Sequence, residues 1–174
     1  KDWFELAEKV SCQMAEYNVE LRQEIFLVLE KFRRNWPQNL PIGVIHGDLF
    51  PDNVFFKGNK ISGILDFYFS CIDAYAYDIA ICINAWCFNR NESLNFEKVE
   101  CLLNGYQLIR QLSREEIEAL PMLSSGSAMR FFLTRFYDWI NCENSALMAP
   151  KDPTEYLNKM RFHRDYNWVL EHNF

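Results

Sequence analysis

The stretch VIHGDLFPDNVFF, residues 44–56, places a dense group of polar side chains between two apolar runs. Its polar members are a His, two Asp and an Asn. The flanking runs are rich in β-branched and aromatic residues, which favour strands. The pattern predicts a loop held between two buried strands, with side chains that can bind protons and metal ions.

The residues that follow predict a β-hairpin. The segments NVFFK and KISGILDF flank the dipeptide GN, which favours a tight two-residue turn. With that turn, Asn53 is expected opposite Ile64. Because side chains alternate along a strand, Asp66 is then expected on the same face as Asn53. Turn and pleat together predict an amide and a carboxylate side by side.

The spacing within the loop is that of a phosphoryl-transfer site. Asp48 and Asn53 form D-x-x-x-x-N, which is similar to the spacing of the protein-kinase catalytic loop, where the Asp accepts a hydroxyl proton and the Asn holds Mg²⁺. Asp66, in LDFY, stands where the metal-binding Asp of the protein-kinase D-F-G motif would be. Mg²⁺ prefers oxygen ligands and keeps part of its water shell, so one amide, one carboxylate and nucleotide phosphates suffice. The alternative is a purely structural turn.

The rest of the chain predicts helices, so the expected fold class is α+β and mostly helical. Apolar residues recur at helical spacing from residue 3 to about 35, with Asn18 marking a bend or break. Helical pattern resumes at Ile72 and continues to the end of the chain. Ser113 and Glu116 predict a capping box at the start of one long helix, and Pro153 lies near the first turn of the last.

Composition narrows the classes of protein. The 49% apolar content indicates a globular domain, and the net charge of −6 argues against a nucleic-acid surface. The longest apolar run is too short to cross a membrane. The six cysteines are scattered without metal-ligand spacing, which argues against a zinc site or a disulfide framework and favours a reducing cytoplasm. No pattern indicates an oligomeric state.

These motifs also carry a family resemblance. HGDLFPDNVFF followed by SGILDFY resembles the aminoglycoside phosphotransferase/choline kinase superfamily, whose motif is H-G-D-x-x-x-x-N and then a strand ending in I-D-F. Further blocks, including AMRFFLTRFYDWIN and KDPTEYLNKMRFHR, resemble its bacterial members that phosphorylate homoserine. The likeness extends from Pro41 to Arg164. It implies that residues 1–174 form a protein-kinase-like C-terminal lobe whose N-terminal nucleotide lobe is absent, so that the isolated fragment is inactive.

The resemblance also implies a role for each motif residue. Asp48 would orient and deprotonate the acceptor hydroxyl, ATP would be the donor, and Asn53 and Asp66 would bind Mg²⁺. His46 would hold the loop by hydrogen bonds. Asp78 would support the loop from the next helix, although its position is also that of a helix N-cap. Tyr68 replaces the Gly of D-F-G, so the flexible switch of protein kinases is not implied.

The acceptor pocket is the least specified part of the prediction. Homoserine requires a guanidinium for its carboxylate and acidic or aromatic groups for its ammonium. One helix offers five candidates: Arg130, Arg135, Tyr137, Asp138 and Trp139. Helical spacing places Arg130, Thr134, Tyr137 and Asn141 on one face, and Arg135 and Trp139 on another. One of the two Arg is expected to meet the substrate, and the other to pair within the fold. A kinase for choline or an aminoglycoside, or a non-catalytic pseudokinase module, remains an alternative.

Overall fold

The computed structural model describes residues 3–142, 150–172 and 174. The helices are α1 (Trp3–Tyr17), α2 (Val19–Asn35), α3 (Tyr75–Trp86), α4 (Phe96–Gln107), α5 (Arg114–Ile140), α6 (Thr154–Asp165) and α7 (Trp168–His172). The strands are β1 (Ile42–Ile45), β2 (Val54–Lys57), β3 (Lys60–Ile64) and β4 (Cys71–Ala74). This confirms a mostly helical α+β fold. In the part of the chain so described, no helix is both long and apolar enough to span a bilayer. The cysteines at positions 12, 71, 82, 87 and 101 are free thiols.

Two predicted helix boundaries are confirmed at the level of single hydrogen bonds. Asn18 separates α1 from α2, and its side chain accepts a hydrogen bond of 2.9 Å from the Leu21 N–H. Ser113 and Glu116 form the predicted capping box at the start of α5. The final predicted helix is instead two, α6 and α7, because Tyr166 between them has extended backbone geometry.

The strands form two separate antiparallel ribbons, β1 with β4 and β2 with β3. The sequence pattern placed residue 72 at the start of a helix, and this was wrong, because residues 71–74 pair with β1 before α3 begins. A strand this short, with a partner far away in sequence, leaves almost no periodic signal. The ribbons are also less buried than predicted: the cross-strand pair Val44 and Ile72 is 76% and 73% exposed.

The predicted register of the β2–β3 hairpin was also wrong. Lys57 pairs with Lys60 as the turn predicts, but the register shifts between Phe55 and Phe56, so Val54 lies opposite Ile64. An irregularity of this kind puts an extra residue into one strand and displaces every later pair. Asn53 lies outside the strand, in a 3-10 turn spanning Pro51–Asn53.

Helix α5 connects the two halves of the hydrophobic core. Its first half packs with α3 and α7, and its second half packs with α1, α2 and α6. Trp36 contacts both clusters and lies against Gly126 of α5. A Cβ at position 126 would lie 2.4 Å from the indole ring, so the close approach of Trp36 requires glycine there. The core therefore fixes α5, whose outward side faces the loop of residues 46–53.

A polar network lies inside this core. The Asn84 side chain is fully buried and donates hydrogen bonds to the Ser124 carbonyl (2.8 Å) and the Ser127 hydroxyl (2.7 Å). Its carbonyl oxygen accepts from His163 Nε2 at 2.9 Å, while His163 Nδ1 accepts from the Trp168 indole N–H at 3.0 Å. With one nitrogen donating and one accepting, His163 is the neutral imidazole, and burial lowers its pKa to about 3.

We expect the stability of the protein to fall as the pH is lowered below about 6.5, the ordinary pKa of His. Between that pH and about 3 the unfolded state binds a proton that folded His163 does not, so unfolding becomes easier by about 2 kcal/mol between pH 7 and pH 5. Chemical denaturation followed by tryptophan fluorescence at the two pH values measures this. The His163→Gln variant, which keeps a donor for Asn84, should show a clearly smaller pH dependence; an unchanged dependence would contradict the assignment.

Candidate active site

The loop of residues 46–53 begins directly after β1 and turns sharply at its second residue. Gly47 has φ +76°, a conformation that side-chain-bearing residues rarely adopt. A Cβ there would also lie 2.7 Å from the Phe69 carbonyl oxygen. Both facts require glycine, and the turn that it permits directs the Asp48 side chain away from the strand.

The loop backbone is held from α3 by Asp78. One carboxylate oxygen accepts a hydrogen bond from the His46 N–H and the other from the Gly47 N–H, each at 2.9 Å. The helix begins after Ala74, so Asp78 does not act as its N-cap. Two charge-assisted bonds to consecutive N–H groups fix the direction of the chain as it enters the loop.

The His46 ring lies beneath the loop and spans it. Its Nδ1 accepts a hydrogen bond from the Asp48 N–H at 3.2 Å, and its Nε2 lies 2.8 Å from the Leu65 carbonyl. A backbone N–H can only donate and a carbonyl can only accept, so this pattern specifies the neutral imidazole with its proton on Nε2. Both ring nitrogens are therefore engaged, and the ring links the Asp48 loop to the segment that carries Asp66.

Two further side chains hold the loop, and one of them was not predicted. Arg130 of α5 donates to the Gly47 carbonyl at 2.6 Å. The indole N–H of Trp86, at the end of α3, donates to the Leu49 carbonyl at 2.8 Å. Trp86 lies in an apolar segment typical of core, so no sequence signal distinguished it as a donor to the loop.

The loop, the end of the hairpin and α5 together enclose a pocket of about 380 Å³. Its lining residues are Asp48, Phe50, Asp52, Asn53, Asp66, Phe69, Arg130, Phe131, Thr134, Arg135, Asp138 and Lys151. Asp48, Asn53 and Asp66 thus lie in one cavity although the predicted strand register was wrong. What brings them together is the turn before β2 and a hydrogen bond of 2.9 Å from the Leu65 N–H to the Asn53 carbonyl.

The orientation of Asn53 leaves an oxygen available to a cation. Its Nδ2 donates to the Asp48 main-chain carbonyl at 2.8 Å and to Asp48 Oδ2 at 3.3 Å. No residue in the described part of the chain donates to Asn53 Oδ1. Asp66 adopts left-handed geometry (φ 58°). Among the residues that the structure describes, the Tyr68 N–H donates to its Oδ1 at 3.4 Å and no group donates to its Oδ2.

These two side chains are hard oxygen donors of the kind Mg²⁺ prefers. Within residues 3–142, 150–172 and 174, no group of three or more His, Cys, Asp or Glu could hold a metal ion. An amide and a carboxylate are therefore an incomplete set, which fits an ion that takes its remaining ligands from phosphate and water.

The groups around Asp48 shift its pKa in opposite directions. Burial raises the pKa of Asp48 above its usual value, and the nearby Asp66 carboxylate raises it further. The Arg130 guanidinium and the hydrogen bond from Asn53 act in the opposite direction. The result is a partly buried carboxylate with a raised pKa, kept from rising further by one cation on α5.

The structure divides the predicted acceptor residues into two groups. Arg130 and Arg135 line the pocket. Tyr137 and Trp139 do not: Tyr137 is 41% exposed, and Trp139 packs edge-on against Tyr17 with ring centroids 5.4 Å apart, so their part in substrate binding stays a prediction. Their positions on α5 turn them away from the loop.

The pocket-facing side of α5 also carries Thr134 and Asp138, of which Asp138 was among the candidates that the sequence offered. Thr134 and Asp138 follow Arg130 at successive intervals of four, so the three lie along one stripe of the helix. The prediction stepped from Thr134 to Tyr137 instead, and helical spacing alone allows both choices. Lys151, which lies 3.5 Å from Asp52 across the pocket rim, comes from a different segment and had no sequence signal.

Comparison with protein families matches residues 1–112 to the phosphotransferase enzyme family, APH. The match covers more than half of the chain and includes the loop, the hairpin, Asp66 and Asp78. The protein belongs to this family.

Curated relatives are named homoserine kinase. The protein is 58% identical to the one from Mesorhizobium japonicum over 144 residues, which are 83% of this chain and 45% of that protein. It is 51% identical to the one from Rhizobium etli strain CIAT 652 and 53% identical to the one from Rhizobium johnstonii, in each case over 170 residues, 98% of this chain and 53% of the relative. The chain thus spans about half the length of the curated relatives it matches.

Replacing Asp78 with Asn should loosen the loop. One of its two acceptor oxygens becomes an N–H₂ group that faces a backbone N–H, leaving a donor unpaired at a cost of about 1–3 kcal/mol. Amide hydrogen exchange should accelerate at His46 and Gly47. The control is Asp165→Asn, which removes only an exposed pair with Arg164. Equal exchange rates in the two variants would show that Asp78 does not hold the loop.

Proposed function

We propose that this chain is the C-terminal, acceptor- and metal-binding lobe of a kinase that transfers the γ-phosphoryl group of ATP to the hydroxyl of homoserine. The observation that carries the proposal is the convergence of Asp48, Asn53 and Asp66 on one pocket, with the Asn53 amide bonded to Asp48. Membership of a phosphotransferase family supports the reaction class. The names of the relatives support homoserine as the acceptor.

In this proposal Asp48 orients the acceptor hydroxyl and accepts its proton. Its backbone position is set by His46 and Asp78, neither of which lines the pocket. Arg130 serves the reaction twice, because it holds the loop through the Gly47 carbonyl and its charge favours the ionised form of Asp48. A fixed base beside the reacting oxygen supplies orientation and proton acceptance together.

Mg²⁺ would be held by Asn53 Oδ1 and the Asp66 carboxylate. When bound, the ion neutralises charge on the phosphoryl oxygens. The remaining ligands would come from ATP and water. A donor set of one amide and one carboxylate is consistent with that division.

The nucleotide lobe would lie in the half of the relatives that this chain does not match. We expect residues 1–174 alone to phosphorylate nothing, and the full-length protein to be the active form. ATP as donor and the free thiols at positions 12, 71, 82, 87 and 101 favour a cytoplasmic setting.

In the full-length protein, Asp48→Asn should lower kcat by about 10²–10⁴, because the variant keeps the shape of the side chain but cannot accept a proton. Release of ADP in the presence of homoserine, choline or an aminoglycoside measures both activity and acceptor choice. Asp165→Asn, remote from the pocket, is the matched control. Near-normal turnover in Asp48→Asn would remove this residue from the mechanism, and preference for choline or an aminoglycoside would refute the proposed acceptor.

Arg130→Met should move the acid limb of the kcat–pH profile to higher pH. The guanidinium holds down the pKa of Asp48, so its removal lets burial and Asp66 raise that pKa further. Since the reaction needs ionised Asp48, activity is then lost at a higher pH as the solution is acidified. Arg130→Lys, which keeps the charge but not the guanidinium geometry, should retain most of the wild-type limb. Coincident profiles for wild type and Arg130→Met would contradict this role.

A further inference from the structure

The two pocket arginines, Arg130 and Arg135, differ in the hydrogen bonds and ring contacts that they already make. Arg130 donates to the Gly47 carbonyl at 2.6 Å, and its guanidinium lies over the Phe69 and Phe131 rings at 5.1 and 4.7 Å. Arg135 uses one terminal nitrogen, Nη1, for Glu155 Oε2 (2.7 Å) and the Asp152 carbonyl (3.3 Å). Its Nη2 and Nε make no hydrogen bond within the described ranges. Arg135 therefore offers an open edge for a bidentate carboxylate.

An acidic side chain stands one turn along the helix from Arg135. Asp138 lies at i+3 on α5, so the two are surface neighbours, with Cβ atoms about 5–6 Å apart in an ideal helix. Both line the pocket, and no residue in the part of the chain that the structure describes donates a hydrogen bond to Asp138. A cation and an anion at this spacing match a ligand that carries a carboxylate and an ammonium on one carbon atom.

A half-exposed carboxylate and a buried ammonium set the position of Arg135. Glu155 lies between two cations, with Oε2 accepting from Arg135 and Oε1 accepting from Lys159 at 2.5 Å. The Lys159 side chain is only 6% exposed and also donates to the Asn84 main-chain carbonyl of α3 at 2.9 Å. Burial lowers the pKa of Lys159, while Glu155 opposes that effect.

The Tyr156 ring completes this arrangement. The Arg135 guanidinium lies 4.3 Å from its centroid and the Lys159 ammonium 4.6 Å. Arg135, Lys159 and Glu155 together carry one net positive charge, because one carboxylate is shared by two cations. Arg135 is the member of this group that lines the pocket. The hydrogen bond from Lys159 to the Asn84 carbonyl connects this group of charges to α3, the helix that also carries Asp78.

We propose that Arg135 and Asp138 form the subsite for the α-amino-acid headgroup of the acceptor, and that Glu155 and Lys159 are positioning residues that hold Arg135 there. This rests on the proposed function for the identity of the acceptor. Arg135 binds the carboxylate and Asp138 the ammonium. The hydroxyl at the other end of the molecule is then directed towards Asp48, in the same cavity.

Truncated acceptors separate the two contacts in the full-length protein. 3-Aminopropan-1-ol is homoserine without its carboxylate, and 4-hydroxybutanoate is homoserine without its ammonium. Arg135→Met should raise the KM for homoserine roughly 10- to 100-fold with little change in kcat, and leave the KM for 3-aminopropan-1-ol unchanged. Asp138→Asn should raise the KM for homoserine and leave that for 4-hydroxybutanoate unchanged.

Variants of the two positioning residues, Glu155 and Lys159, should change the KM in a way that tests their role. Glu155→Gln removes the charge between the two cations and should reproduce the Arg135→Met pattern with a smaller factor. Lys159→Met should do the same, and Lys159→Arg should restore most of the wild-type KM. Glu155 is 42% exposed, so its variant tests the proposal even if buried Lys159 cannot be replaced. The matched control is Glu118→Gln, which breaks an exposed pair with Arg114 on the same helix.

A binding measurement distinguishes failure of the subsite from failure of the proposed function. L-2-Aminobutanoate has the same headgroup and no hydroxyl, and calorimetry should show binding that Arg135→Met abolishes. If homoserine is not phosphorylated but this binding is seen, the proposed function falls and the subsite stands. If homoserine is phosphorylated with an unchanged KM in both Arg135→Met and Glu155→Gln, or if the wild type does not bind L-2-aminobutanoate, the subsite is overturned.

Discussion

The Asp78 carboxylate accepts hydrogen bonds from two consecutive N–H groups of the loop, and the geometry of the pocket depends on this contact. The loop turns at Gly47 in left-handed backbone geometry, and Asp78 of helix α3 holds this turn in place. Helix α3 is a rigid support because it is almost entirely buried and cannot shift without disturbing the core. A buried helix thus imposes its rigidity on an irregular segment through a single charged side chain.

The charged side chains of the pocket are also held in place by contacts with the fold. Several carboxylates line one small cavity and repel one another, and the Asp66 charge contributes to the raised pKa of Asp48. Arg130 and Arg135 offset this from α5, and each is also tied to the fold, Arg130 to the loop backbone and Arg135 to Glu155. Their positions are therefore set before any ligand arrives, which reduces the conformational entropy lost on binding.

Helix α5 connects the core to the pocket. One side of it packs against α3, α6 and α1, and the other carries the stripe Arg130, Thr134 and Asp138. The buried Asn84–His163 network lies between α5 and its neighbours, where an unpaired polar group would be costly, so it specifies how these helices meet. The stripe faces the loop because the opposite face is committed to the core.

Local patterns in the sequence determined what depends on neighbours along the chain. They include the break at Asn18, the capping box at Ser113, the Lys57–Lys60 turn pair and the spacing of Asp48 and Asn53, and the structure has all four. Each arises from hydrogen bonds or steric preferences within a few residues. Turn and pleat predicted Asp66 beside Asn53, although the register on which that prediction depended was wrong. Family resemblance added Asp78 by matching positions, without a physical account of why it lies near the loop.

Only the tertiary structure decided what depends on contacts between distant segments. The pairing of β4 with β1, the turn that carries Asn53 to Asp66, the choice of Asp138 over Tyr137, and the ion pair behind Arg135 are of this kind. A periodic pattern says that a helix has two faces, but the neighbouring elements determine which face is buried. The residue types therefore indicated the chemistry of the site, and packing between distant segments determined the positions of its side chains.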